Sequence, residues 1–253
     1  MTLTVKIAVY GMLMLCCLAC SPAHQAKITV ATAANMKFAM QPLLADFTEK
    51  TGVECEMIVG SSGKLTAQIR EGAPYDIFVS ADMKYPQTLY EEGVAKAPPE
   101  IYAYGRLILW SVNGAIPALT ALPHPDVGHI ALANPRNAPY GAAAVAVLKH
   151  YGIWDTVQDK LVYGESISQT NHFIMSGAAT VGFTALSVVR SPDIEGKGRY
   201  IIPDPETYPP IAQGVVLIPQ PDTDPEQAGK FYDYLFSPEA RKVLKDFGYL
   251  VDE

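Results

Sequence analysis

Short apolar runs bounded by Gly, Ser and Asn alternate along most of the chain with longer stretches whose apolar residues recur three and four positions apart. Lys27-Ile28-Thr29-Val30-Ala31 has strand composition. It leads through Thr32-Ala33-Ala34-Asn35 into a helical pattern with Phe38, Leu43, Leu44 and Phe47 on one stripe and Gly52 just past its end. A second strand, Glu54 to Val59, ends in Gly60-Ser61-Ser62-Gly63, where a helix opens with Leu65 and Ile69 spaced i, i+4. Tyr75 to Ser80 is a third strand, ending at Ala81-Asp82, where another helix can be capped. Three strand-then-helix units in succession predict parallel strands joined by right-handed crossovers. All three helix entrances then lie along the carboxyl edge of one sheet, where open α/β sheets bind their ligands.

The pattern breaks at Pro98-Pro99 and resumes with an apolar strand, Gly105 to Ser111, that leaves the first domain. After a proline-punctuated loop the same grammar returns: strand His129 to Ala133, turn Asn134 to Pro139, and a strong helix former from Tyr140 to Leu148. Val162 to Ser168 reads as a short strand and loop before a helix through Phe173 and Met175, and Thr180 to Ser187 as a further strand. Between Tyr200 and Pro221 prolines are frequent, and Gly214 to Ile218 is the strand pattern that returns the chain to the first domain. Two helices follow, Pro225 to Phe236 and Pro238 to Phe247, with Phe231, Leu235, Val243 and Leu244 facing the core. The reading is an α/β fold of two domains: 27–106 with 218–253, and 107–217.

Of these corners, Gly60 to Gly63 carries the clearest chemistry. Backbone N–H groups without intrahelical partners and two small hydroxyls meet at the positive end of a helix, which makes a seat for an anion. Helix capping by Ser62 is the plain alternative. A phosphate-binding loop is excluded by spacing: Gly60 and Gly63 are too close, and Leu65 stands where Ser or Thr is required. The five histidines, His24, His124, His129, His150 and His172, show no metal-ligand spacing, so a bare metal ion is not expected.

The 253 residues carry a formal charge of −7, which argues against a nucleic-acid partner without excluding a small anion. Lys6 and the apolar run Ile7 to Ala19 have the form of a secretory signal, residues 1–19, too short to span a bilayer. Cys20 after Leu18-Ala19 resembles the lipidated cysteine of bacterial lipoproteins, with simple cleavage nearby as the alternative; residues 20–26 form a linker. The protein is exported on either reading, to the periplasm or cell envelope. Cys55 is then alone in the mature fold, reading as a small buried side chain rather than a nucleophile.

The stretches ITVATAANMKFAM, GSSGKLTAQIREGAPYDIFVSAD, ALANPRNAPYGAAAVAVLKHYGIWD, VGFTALS and FYDYLFSPEARKVLKDFGY, in this order and spacing, resemble the periplasmic molybdate-binding proteins of bacterial ABC importers, the ModA family. The resemblance implies a type II periplasmic-binding-protein fold, with an oxyanion held by uncharged donors between two mainly parallel sheets. By position, it implies that Ser62 binds the ligand and that Asn35 donates through its side chain or backbone N–H. Tyr140 and Ile167 would contribute backbone N–H groups. Ala34 and Ala185 are weaker candidates; some members place a tyrosine hydroxyl at the position of Ala185, and the hydroxyl of Tyr140 would replace it here.

Molybdate and tungstate are acceptor-only dianions near neutral pH, so a dry ring of donors suits them, and phosphate would leave its proton unpaired there. The expected function is capture of molybdate or tungstate by a monomer that delivers it to an ABC permease, without a cofactor and touching the membrane only through a lipid anchor. A receptor for sulfate, thiosulfate or phosphate is the alternative within that class. An exported enzyme acting on an anionic substrate is the alternative outside it, disfavoured because the corners supply neither a nucleophile with its base nor a metal.

Overall fold

A computed structural model describes residues 27–113, 118–221 and 225–251. The signal, the linker and Cys20 lie outside the described residues. Among those residues no helix is long and apolar enough to cross a membrane.

Two five-stranded sheets form two lobes. In the first, β1 (Lys27–Ala33) pairs in parallel with β2 (Glu54–Gly60) on one side and β3 (Ile77–Val79) on the other. Helices α1 (Lys37–Thr51), α2 (Ser62–Arg70) and α3 (Lys84–Glu91) follow the three strands in turn. Gly52 ends α1 with φ 73°, as its position past the apolar stripe predicts. The second lobe repeats the plan. Strand β6 (Ile130–Ala133) lies between parallel partners β7 (Leu161–Gly164) and β8 (Val181–Ala185), with helix α4 (Pro139–His150) after β6, α5 (Ile167–Met175) after β7 and the short α6 (Leu186–Val189) after β8.

Each lobe takes its antiparallel strand as the chain arrives from the other. Strand β4 (Glu100–Gly105) ends the first excursion in the first sheet, and after Arg106 alone, β5 (Leu107–Ser111) runs antiparallel to β8 and to β9 (Arg199–Ile201). The proline-punctuated segment then delivers β10 (Ile211–Leu217) between β3 and β4, antiparallel to both. The sheet orders are β2-β1-β3-β10-β4 and β7-β6-β8-β5-β9. Two expectations are corrected here. The strand expected from Gly214 to Ile218 on return to the first domain begins earlier, at Ile211, so residues 211–217, assigned above to the second domain, pair in the first sheet; and a separate strand, β4, precedes the single one expected from Gly105 to Ser111.

Three apolar clusters hold the lobes. The stripe of α1 packs with α7 (Pro225–Leu235) and α8 (Pro238–Asp246) on one face of the first sheet, where Phe47 meets Phe231 edge-on at 5.1 Å. Burying each such side chain is worth about 1.5–3 kcal/mol. Phe231, Leu235 and Leu244 are buried, and Val243 packs half-buried against them. Leu65, Ile69 and Phe78 fill the other face. Cys55 is half-buried at the rim of the first cluster, more open than expected, and burial raises its thiol pKa. The second lobe's core extends across the lobe boundary to Ala33, Ala34 and Ala81 at the ends of β1 and β3, so small side chains there let the lobes close. The tail is pinned by backbone hydrogen bonds between Tyr104 and Leu250 at 2.7 and 3.0 Å, which bring Tyr249 beneath the cleft.

Candidate functional site

The carboxyl ends of β1 and β2 face those of β6 and β7, and the connections that follow them, together with Ala81 after β3, line a small cavity of about 10 Å³. The first lobe supplies Ala34, Asn35, Ser61 and Ser62; the second supplies Pro139, Tyr140 and Ile167. The lining contains no ionisable carboxylate, amine or guanidinium. The nearest acid along the chain from the lining, Asp82, has its carboxyl pKa raised by burial, while Oδ1 accepts hydrogen bonds from the Tyr85 N–H and the Ser80 hydroxyl.

Ser61 is the N-cap of α2, its carbonyl accepting from the Leu65 N–H at 3.0 Å, but its hydroxyl caps nothing and is buried without a partner. Ser62 opens the helix and accepts the Ala81 N–H at Oγ, 3.0 Å, which leaves its own proton to donate. Gly63 donates its N–H across the cleft to the Asn137 carbonyl at 2.9 Å. A Cβ on Gly63 would lie 2.7 Å from the Asn137 Cβ, so the approach of the lobes requires glycine. The Tyr85 hydroxyl donates to the Arg136 carbonyl at 3.0 Å beside it, and Lys64 lies 3.8 Å from Glu165 on the exposed rim.

In the second lobe, Pro139 and Tyr140 form the first turn of α4, and Ile167 is the first residue of α5. The Ser166 hydroxyl accepts from the Gln169 N–H at 3.4 Å, and the Gln169 side chain accepts from the Glu165 N–H at 2.7 Å, a variant of the capping box. The first-turn N–H groups of Tyr140 and Ile167 have no intrahelical partners and form part of the positive end of each helix, Pro139 having no N–H to give. The side chains of Tyr140 and Ile167 are buried, so these residues offer the cavity main chain rather than chemistry of their own.

Ala34, Asn35, Ser62, Tyr140 and Ile167 therefore meet at one cavity, as their positions in the strand-to-helix corners require. Three details differ from expectation. Ala185 is fully buried at the end of β8, opposite Leu107, and does not line the cavity. The Tyr140 hydroxyl points away: it accepts from Gln213 Nε2 at 3.3 Å and lies where a Cβ on Gly105 would be 2.1 Å away. The Asn35 amide donates to Gln213 Oε1 at 2.9 Å and to the Tyr249 hydroxyl at 3.1 Å, so its main-chain N–H is what remains to donate. Its Oδ1 is buried without a partner. In sequence both hydroxyls of this corner read as part of an anion seat, but Ser62 alone is named as a ligand-binding residue; Ser61 lines the same cavity.

A two-lobed α/β frame with paired helix termini around an uncharged cavity is the architecture of a solute-binding protein. The chain belongs to the bacterial extracellular solute-binding protein family, whose sequence profile matches residues 28–250. Within that family it is 38% identical over 233 residues to the molybdate-binding protein ModA of Rhodobacter capsulatus, covering 91% of each chain. It is 36% identical over 241 residues to that of Azotobacter vinelandii, covering 92% of each. The solved Azotobacter vinelandii periplasmic molybdate-binding protein superposes with a TM-score of 0.82 at 34% identity, covering 89% of this chain and 100% of that one.

Proposed function

We propose that this protein captures molybdate, or the similar dianion tungstate, between its lobes outside the cytoplasm and presents it to the permease of an ABC importer. One observation carries the reading: a charge-free cavity where hydroxyls of one lobe face two helix N-termini of the other. The molybdate-binding relatives, aligned over almost the whole chain, support the choice of ligand. In this assignment the Ser61 and Ser62 hydroxyls and the main-chain N–H groups of Asn35, Tyr140 and Ile167 hold the oxyanion, with Ala34 forming part of the wall. Hydrogen bonds to a charged group contribute about 1.5–3 kcal/mol each, and together they replace the hydration that the ion loses.

The seat works as a binding device rather than a catalytic one. Ser62 is paired with a backbone N–H and not with a base, which supports capture over nucleophilic attack. The protein acts as a monomer, anchored through a lipid on Cys20; mass spectrometry of the mature terminus and light scattering test these points.

The buried Oδ1 of Asn35 favours a second reading, a protonated oxyanion such as hydrogen phosphate, which can donate to an acceptor. Isothermal titration with molybdate, tungstate, sulfate and phosphate decides. Tight molybdate binding that phosphate cannot displace is expected; no molybdate binding, or preference for phosphate, overturns the assignment.

A further inference from the structure

Next to the cavity lies a buried polar cluster made by segments far apart in sequence. Gln213 is at its centre. It sits on β10, the first strand after the return crossover, at the point where the ladder to β4 shifts register, and its side chain is fully buried. A glutamine without solvent needs its hydrogen-bonding capacity met inside the protein. Oε1 accepts from Asn35 Nδ2 at 2.9 Å and from the Tyr102 hydroxyl at 2.8 Å, while Nε2 donates to the Tyr140 hydroxyl at 3.3 Å. A second link runs alongside: Ser187 donates to the Asn35 carbonyl at 2.8 Å, and the Tyr249 hydroxyl lies 3.0 Å from both that carbonyl and Ser187 Oγ.

Two of the three partners of Gln213 line the anion cavity, and they do so from opposite lobes. Asn35 follows β1 of the first lobe; Tyr140 opens α4 of the second. One amide group thus holds a wall residue of each lobe at once. We infer that Gln213 is a positioning residue that joins anion capture to lobe closure: it fixes the Asn35 side chain and, through the Tyr140 ring, the first turn of α4, without touching the ion itself. Separating the lobes breaks the Gln213–Tyr140 and Ser187–Asn35 hydrogen bonds. Their polar groups sit in a low-dielectric interior, where a lost partner costs more than in water. The closed arrangement is therefore favoured when the seat is correctly assembled, and an ion that needs donors from both lobes draws on that preference.

The inference rests on the cavity being the oxyanion seat, and the experiment separates the two. Molybdate titrations are run on the mature protein and on Ser62→Ala, Gln213→Leu, Tyr140→Phe and the Gln213→Leu/Tyr140→Phe double variant, with the ligand-free melting temperature of each. Gln213→Leu is expected to weaken binding by about tenfold or more, Tyr140→Phe by less, and the double variant no further than Gln213→Leu alone, because both changes cut the same link. Wild-type affinity in Gln213→Leu, or losses that add across the two positions, overturns the inference while leaving the seat intact if Ser62→Ala binds poorly. Unchanged binding in Ser62→Ala removes the seat and the inference with it. Should Gln213→Leu fail to fold, Tyr140→Phe carries the test, and wild-type affinity in that variant overturns the proposal.

Discussion

The two walls of the cavity follow one plan and are furnished differently. Both are built from strand-to-helix corners at the carboxyl edge of parallel strands. The first lobe lines its corners with polar side chains, Asn35, Ser61 and Ser62, whereas the second uses Ala138, Pro139, Tyr140 and Ile167, whose side chains are apolar or turned away. The difference teaches that a helix N-terminus presents donors whatever its side chains are. The second wall is thereby free to spend its side chains on packing, and substitution by alanine will register one wall far more strongly than the other.

Ser62→Ala is the severest test of the first wall. On the proposed assignment it removes a donor to the dianion, worth about 1.5–3 kcal/mol, and it also leaves the Ala81 N–H unpaired. An affinity loss of about ten- to a hundredfold by titration is expected. Gly63→Ala tests whether the walls must meet. Its new Cβ would lie 2.7 Å from the Asn137 Cβ, and such overpacking costs about 1–3 kcal/mol. Affinity should fall with the ligand-free fold intact, while a Gly63→Ala protein binding as wild type would show that closure at this rim is dispensable.

Ser61→Ala sharpens the comparison because its hydroxyl has no partner without a ligand. Binding should weaken by about tenfold or less while the ligand-free melting temperature holds or rises, since an unsatisfied buried group is removed. On the second wall, Ile167→Val should cost about 0.5–1.5 kcal/mol of stability and leave affinity almost unchanged; a large affinity loss there would break the contrast between walls. The smallest effect concerns Asp82, whose folded pKa is raised above the ordinary 3.8, chiefly by burial. The folded protein therefore holds this proton more tightly than the unfolded chain. The stability that Asp82 contributes is complete below 3.8 and is lost as pH rises through the raised value. Asp82→Asn should flatten that decline in melting temperature as pH rises above 3.8.

Much of the frame was legible because it is local. Leu65 and Ile69 on one face of α2, Gly52 after α1, and Pro139 in the first turn of α4 each announce an element within a few residues of themselves. Strand β4 was missed because Glu100 to Gly105 alternates exposed and buried positions weakly beside the wholly buried, mostly apolar β5. The return strand was begun three residues late, at Gly214, because the apolar run Val215 to Ile218 marks it while Ile211 to Gln213 carry no strand pattern of their own. Ala185 was carried over by resemblance, and no local feature of the chain tells whether the end of β8 faces the cleft or its own core.

Sequence alone therefore determined the grammar: which backbone groups each strand-to-helix corner leaves unpaired, and that Ser61 and Ser62 stand at one such corner. Those features depend on neighbours a few residues away, where periodicity and capping act. Tertiary structure decided how the side chains are spent. The Asn35 amide goes to Gln213 and Tyr249, 178 and 214 residues distant, and the Tyr140 hydroxyl goes to Gln213, 73 residues away. Such partners meet only after both crossovers are made, and a buried donor takes the nearest acceptor the fold provides.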